Sequence, residues 1–148
     1  MGKWSRIENE ADYKLSEESA EKLVREFLDF YEIDVTHSDP KIEKALDEML
    51  DELMKAYRRG AVENHRDDNL GFCVIQNLKN GNKLTYRELA GKDRIFMEGY
   101  SENQSVSKIH AILGRLCGYG PDVIAKISGR DWQTATNIAL VFMKASNG

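Results

Sequence analysis

Apolar residues recur at helical spacing in two early stretches, then give way to alternation, then return to helical spacing in shorter runs. Ala20, Leu23, Val24, Phe27, Leu28 and Tyr31 lie on one stripe. Ser16 precedes them as an N-cap, because its hydroxyl oxygen can accept a bond from an orphan backbone N–H, and Glu17 and Glu18 suit the positive end of the helix dipole. Phe30 falls off the stripe, either as a single exposed apolar residue or as part of a contact surface. Asp34 to Ser38 breaks the pattern, and Asp39-Pro40 restarts it with Asp as cap and Pro at the first helical position. Ile42, Ala45, Leu46, Met49, Leu50, Leu53 and Tyr57 then form a continuous stripe, with Asp47, Glu48, Asp51 and Glu52 on the other side. Arg58 and Arg59 sit where cations suit the dipole, and Gly60 is placed to end the helix. The short link between the two helices predicts an antiparallel helical hairpin over residues 15–60.

The middle of the chain changes period. Gly71 to Leu78 is rich in β-branched and aromatic residues, Lys79-Asn80-Gly81-Asn82 reads as a turn, and Lys83 to Leu89 alternates apolar and polar. Asn-Gly between such runs is the strongest short hairpin signal. Ala61 to His65 is a candidate third strand, with Asp67-Asp68-Asn69 as its turn. Helical pieces follow: Lys92 to Glu98, Ser105 to Cys117 with Val106, Ile109, Leu113 and Leu116 on one side, and Pro121 to Ile127. A last helix is capped by Asp131 and carries Trp132, Ala135, Ile138, Ala139 and Phe142. The expected fold is α+β and mostly helical: an N-terminal arm over 1–14, the hairpin over 15–60, and a β-hairpin or small antiparallel meander with a C-terminal helical cluster over 61–148, together one compact domain.

Composition changes this picture little. Of 148 residues, 41% are hydrophobic and 31% charged, the balance of an ordinary folded protein, not of a disordered one. No apolar run approaches the length of a membrane span, and Met1 to Glu10 lacks the apolar stretch of a signal peptide. Cys73 and Cys117 each sit in an apolar segment, which favours buried thiols and a cytoplasmic location over a single disulfide between them. The charge is more informative. The net −4 conceals 16 acidic and 5 basic residues between Glu8 and Glu52, against 9 acidic and 14 basic from Leu53 onward. An acidic stretch of this kind is a solvated helical face or a surface that repels nucleic acid and selects a basic or amphipathic partner.

Candidate chemistry is sparse. His37, His65 and His110 have no second His or Cys at metal-ligand spacing, and Asp67-Asp68-Asn69-Leu70-Gly71 lacks the alternating oxygens and closing Glu of a calcium loop. Gly114, Gly118 and Gly120 lie in or after a helix, whereas a phosphate loop precedes one. There is no nucleophile elbow, and Cys117 has no base nearby in sequence. The sequence therefore predicts no catalytic residue, no metal and no cofactor. A helix-turn-helix can be drawn from Pro121–Ile127 and Asp131–Met143, offering Gln133, Thr134 and Asn137 to base edges, but the second helix has no Arg or Lys before Lys144 to hold phosphates. A small DNA-binding or accessory protein is the resulting alternative; nucleic acid is not the expected partner.

From about Lys83 to Met143 the chain resembles the tail assembly chaperones of long-tailed bacteriophages. The resemblance lies in the strand Leu84-Thr85-Tyr86-Arg87-Glu88-Leu89, the opening Gly91-Lys92-Asp93, and the helix end Ile112-Leu113-Gly114-Arg115-Leu116-Cys117-Gly118. It continues through Pro121–Ile127 to a final helix begun by Asp131-Trp132 and ended by Leu140-Val141-Phe142. It implies a non-enzymatic phage or prophage protein, acting in the host cytoplasm, that binds the long helical tape-measure protein through an exposed apolar groove. A structural tail component is a second alternative, and self-association is compatible with either. Candidate partner contacts are Phe30, Tyr100, Tyr119, Trp132 and Phe142, although core packing is the commoner role for such aromatics. Met49, Met54, Met97 and Met143 could supply an adaptable surface or simply fill the core.

Overall fold

The computed structural model describes residues 13–67, 71–86, 105–117, 124 and 126–147. They form α1 (Glu17–Phe30), α2 (Pro40–Arg58), β1 (Val62–Asp67), β2 (Gly71–Asn77), β3 (Lys83–Tyr86), α3 (Ser105–Cys117) and α4 (Gly129–Asn147). The α+β, mostly helical reading holds: four helices flank a three-stranded antiparallel sheet of order β1-β2-β3. The expected helix at Lys92 to Glu98, the strand residues 87–89 and most of the expected piece from Pro121 lie outside the described residues.

The caps of the hairpin are those the sequence predicts. Ser16 Oγ accepts the Ser19 N–H at 3.1 Å, and Asp39 Oδ1 accepts the Lys41 N–H at 2.9 Å ahead of Pro40. The end of α1 is less expected. Glu32 takes φ +53°, a left-handed conformation usually reserved for glycine, so that Ile33 N–H reaches Leu28 O at 2.8 Å and Glu32 N–H reaches Asp29 O at 3.2 Å. The same pair of bonds closes α2, with Gly60 at φ +78° and Ala61 N–H on Ala56 O at 3.0 Å. Lys14 and Leu15 donate their N–H groups to Arg58 O at 2.7 and 3.1 Å, which places the start of α1 beside the end of α2 and makes the hairpin antiparallel. Residues 13 and 14 thus belong to the body and not to the arm.

The third strand is present and longer than the sequence suggests. β1 pairs with β2 from Val62↔Gln76 to Asp67↔Gly71, and β2 pairs with β3 from Val74↔Tyr86 to Asn77↔Lys83. Asp67 therefore ends a strand instead of opening a turn. Register places Val62, Phe72, Val74, Gln76, Leu84 and Tyr86 on one face, all of them buried. The β2–β3 connection lies where Asn-Gly predicts it. Gly81 N–H bonds Leu78 O at 3.0 Å, Leu78 N–H bonds Asn82 O at 2.8 Å, and Gly81 carries φ +92°. Asn80 keeps a negative φ, so this is the three-residue turn with a glycine bulge and not the two-residue mirror-image turn.

One start differs from expectation. α4 begins at Gly129, so Asp131 stands inside the first turn and not at the cap. Its carboxylate is used across the fold, accepting the Lys79 N–H of the β2–β3 turn at 2.9 Å. Its carbonyl accepts Gln76 Nε2 at 2.9 Å, and Gln76 Oε1 accepts the Tyr86 hydroxyl at 2.6 Å. These bonds pin the start of α4 to the sheet. Buried residues from α1, α2, all three strands, α3 and α4 form one core cluster.

Two predictions follow from backbone and core. A Cβ at Gly81 would meet nothing within 4 Å, so Gly81→Val should destabilise through backbone conformation alone, by about 1–3 kcal/mol. Gly81→Asn, which tolerates positive φ, should retain most of the stability in a urea melt. Phe142 is 1% exposed and touches three aromatic rings, so Phe142→Ala should cost about 3–5 kcal/mol in the same assay.

Candidate functional site

The outer side of the helical hairpin carries an open groove. Along α1, Glu17, Glu21, Val24 and Leu28 lie on average about a quarter turn away from the core stripe of Ala20, Phe27 and Tyr31, and Asp29 lies on the outer side. Along α2, Asp47, Leu50, Asp51 and Met54 face them, and the link contributes Ile33, Asp34 and Val35. The groove encloses about 640 Å³. Its floor is apolar: Val24 and Ile33 are buried, and Leu28, Val35, Leu50 and Met54 are half-buried, so apolar atoms stay in reach of a ligand.

The left-handed Glu32 makes that floor. By turning the chain back at the end of α1, it places Ile33 against the last turn near Leu28, the contact that accompanies this kind of helix end. Asp34 then holds the link in shape, accepting the Thr36 N–H at 2.9 Å and its hydroxyl at 2.6 Å.

The rim is acidic. Glu17, Glu21, Asp29, Asp34, Asp47 and Asp51 line it together with a single cation, Arg25. Arg25 bonds Glu21 at 2.9 Å, and Asp51 lies 3.5 Å from Lys55. All six carboxylates are exposed, so the groove presents a negative edge above an apolar bed. The bed also extends past the groove. α2 has 19 residues against 14 in α1, an overhang of about 7 Å, and Leu46 and Ile42 continue the Leu50 face into it. Ile42 is 44% exposed there. The early half of the α2 stripe is therefore not buried against α1, as a fully paired hairpin would require.

The sequence-predicted contacts do not gather on one surface. Phe142 is core, packed at 5.2 Å from Phe27 and 4.9 Å from Tyr31, and is not available to a partner. Phe30 is 47% exposed and stacks on Phe72 at 4.6 Å, on the flank of α1 away from the groove. Trp132 is half-buried against the core, near the opposite end of α4 from Phe142. Tyr100 and Tyr119 lie outside the described residues. Met49 and Met54 both pack half-buried against the core cluster, and Met54 also lines the groove. The groove itself was readable only in part: the acidic run and Met54 were visible, but its floor depends on the turn at Glu32, which no glycine announces.

Two other cavities are present among the described residues. A polar cleft of about 320 Å³ between α2 and α4 is lined by Glu52, Arg59, Arg130, Gln133, Thr134 and Asn137. It holds all three side chains a helix-turn-helix would use on bases, of which Thr134 is only 5% exposed. A cavity of about 660 Å³ beside the β2–β3 turn gathers Lys79, Lys83 and Lys126, but Asp131 lies among them with its carboxylate already on the turn.

Among the described residues, no group of three His, Cys, Asp or Glu side chains could hold a metal ion, and no helix is long and apolar enough to cross a membrane. Both cysteines are free thiols. Burial pushes the Cys117 thiol up to about 12, so it is protonated at neutral pH and a poor nucleophile. Burial, and secondarily the Glu26 carboxylate, raises the Tyr57 phenol, and burial raises Tyr86 in the same direction. Comparison of the chain with protein-family models, with curated proteins and with solved structures gives no match.

These shifts set an alkaline limit. A group whose folded pKa lies above its unfolded value stabilises the fold fully below the unfolded value and loses that contribution as pH rises toward the folded one. Cys117 ordinarily titrates near 9.0, so its contribution should fade between about pH 9 and 12, joined at the upper end by Tyr57 and Tyr86. The melting temperature should be insensitive to these groups below pH 8 and fall steadily above pH 9, and Cys117→Ala should flatten the first part of that fall.

Proposed function

We propose that the protein is a non-enzymatic binding module whose α1–α2 groove takes an amphipathic helix carrying basic residues beside its apolar stripe. The observation that carries this reading is the pairing of a half-exposed apolar floor with an acidic rim. An amphipathic helix inserts its apolar face into such a bed, and flanking Lys or Arg side chains meet the carboxylates. The overhanging end of α2, with Leu46 and Ile42, lengthens the bed for a helix of several turns. The resemblance of the region from Lys83 to Met143 to tail assembly chaperones supports a specific partner: the tape-measure protein of a phage or prophage tail. Its long apolar stripes would be shielded from aggregation until the tail tube forms around them. In this reading the acidic hairpin is the binding part, and the sheet with α3 and α4 is its support.

The test is direct binding of a labelled, Lys-flanked amphipathic peptide cut from a tape-measure helix, followed by fluorescence anisotropy. Burying the exposed part of one half-buried leucine is worth about 1 kcal/mol, and a carboxylate in its place adds a desolvation cost of about 1 kcal/mol or more, so Leu50→Asp should weaken binding roughly tenfold or more, with the circular dichroism spectrum unchanged. Asp29→Lys with Asp47→Lys, two exposed rim positions, should reverse the preference between the basic peptide and an acidic counterpart of the same stripe. Because the floor is apolar, affinity should survive moderate salt while the charge preference shrinks. Equal binding of both peptides by the wild type and by Leu50→Asp would remove the groove from this account.

A further inference from the structure

We infer that the cleft between α2 and α4 is a binding site for a phosphate monoester, separate from the hairpin groove and independent of the peptide-binding reading of that groove.

The cleft is built from two polar stripes. On α4, Arg130, Gln133, Thr134 and Asn137 follow one another at spacings of three, one and three, so they share one face of the helix. On α2, Glu52 and Arg59 stand two turns apart on the face toward α4. The two helices also share the core, to which α2 gives Ala56 and α4 gives Ile138. Helices that meet through polar side chains ordinarily close the seam with hydrogen bonds from one to the other. Here a space of about 320 Å³ stays open between them.

The four α4 side chains show what that space lacks. None of them has a hydrogen-bond or ion-pair partner among the described residues. For Arg130 and Gln133, which are exposed, water suffices. Thr134 is different, because only 5% of it is exposed. Among the described residues, Thr136 Oγ1 is the one side-chain polar atom both unpartnered and sealed from solvent. The Thr134 hydroxyl is unpartnered but not sealed, and the opening it meets is the cleft that Thr134 lines. A hydroxyl so far withdrawn from water costs stability until something in the cleft completes it.

The chemistry of the lining selects an oxyanion. Two guanidinium groups, two side-chain amides and one hydroxyl all donate hydrogen bonds, and the guanidiniums do nothing else. The single carboxylate, Glu52, has a side chain 58% exposed and 3.4 Å from the Lys55 ammonium, which offsets its charge at the outer edge. One guanidinium fork fills both oxygens of a carboxylate. A phosphate has three terminal oxygens, so Arg59, Arg130, an amide and the Thr134 hydroxyl can bind it together. A terminal phosphate can be pushed in as far as Thr134, whereas the diester of a duplex backbone cannot leave its strand to do so. The volume lies at the small end of ligand pockets and leaves space for the few atoms of a serine or short sugar beyond the phosphate.

The test titrates phosphoserine into the full isotope-labelled chain and follows its nuclear magnetic resonance spectrum. Saturable shifts are expected at Arg130, Gln133, Thr134 and Asn137, with a Kd of about 1 mM or tighter. Arg130→Gln, at an exposed position, should weaken binding roughly tenfold or more. Thr134→Val should weaken it to a similar degree yet leave Tm unchanged or higher, because the hydroxyl it removes has no partner in the fold. Arg25→Gln, on the rim of the hairpin groove, should change nothing. A peptide carrying one phosphoserine that binds roughly tenfold tighter than free phosphoserine assigns the phosphate to a partner chain, and equal affinity assigns it to a small metabolite. Shifts that do not saturate, or that survive both Arg130→Gln and Thr134→Val, would overturn the inference. Succinate binding as well as phosphoserine would do the same, as would shifts at these residues from duplex DNA and none from the monoester.

Discussion

The fold converges on Phe142. Its ring meets Phe27 and Tyr31 from α1 and Tyr86 from β3, and through Tyr31 it is linked to Phe72 on β2. Local bonds could form each of these elements, but only this aromatic cluster sets how α1, the sheet and α4 sit against one another. Aromatic rings suit that task because each buries a large area and prefers an edge-on or offset approach, which fixes angle as well as distance. Two polar hubs add direction to the packing. The Tyr57 hydroxyl donates to Asn64 Oδ1 at 2.6 Å, while Asn64 Nδ2 donates to Leu23 O at 2.9 Å and Glu26 Oε1 at 3.0 Å, joining α2, β1 and α1. Gln76 does the same for β2, β3 and α4. A buried amide with its donors and acceptor satisfied tolerates few alternative arrangements, since any slip leaves an unpaired polar group behind.

This arrangement also explains why the groove exists. α1 directs Ala20, Phe27 and Tyr31 into the core, and α2 directs Leu53, Ala56 and Tyr57 there. Leu28, Leu50 and Met54 pack half-buried against the edge of that core and also line the groove. The core clusters at the C-terminal half of α2, so its N-terminal half runs beyond the packed body with only partial cover. What a purely structural hairpin would shorten or make polar is here kept apolar and edged with carboxylates.

Much of this was legible in the sequence, for reasons that differ by element. The caps at Ser16 and Asp39-Pro40, the stop at Gly60 and the span of α3 depend on bonds within a few residues, and local pattern suffices for those. The turn at Gly81 was placed correctly although its type differs, because Asn-Gly reports the need for positive φ but not the loop length. The start of α4 was misplaced because Asp131 has a better use: its carboxylate is held by Lys79, 52 residues away, and sequence spacing cannot see such a partner. The partner contacts suffered the same limit. Aromatic character marks Phe30 and Phe142 alike, but which one turns inward is decided by Tyr86, Phe72 and Phe27, far from it in sequence. Glu32 was the least visible of all, a left-handed residue whose conformation follows from the bonds of Ile33 and not from its own type.

The charge asymmetry along the chain takes on a different meaning once the fold is in place. An excess of carboxylates on a hairpin opposes its folding through self-repulsion, modestly at exposed sites and less as salt rises. Solubility alone would be served as well by charges of mixed sign spread around both helices. Here six carboxylates from both helices and the link line one apolar bed, while the cations of α2 stand at its two ends, Lys41 and Lys44 at the start and Lys55 and Arg58 in the last turn. Such sorting contributes little to stability, because exposed ion pairs are worth only a few tenths of a kcal/mol each. In the binding role proposed above it would contribute to selection, because a negative rim favours a basic amphipathic helix over an acidic one. The sorting is thus better accounted for by what the hairpin holds than by what holds the hairpin.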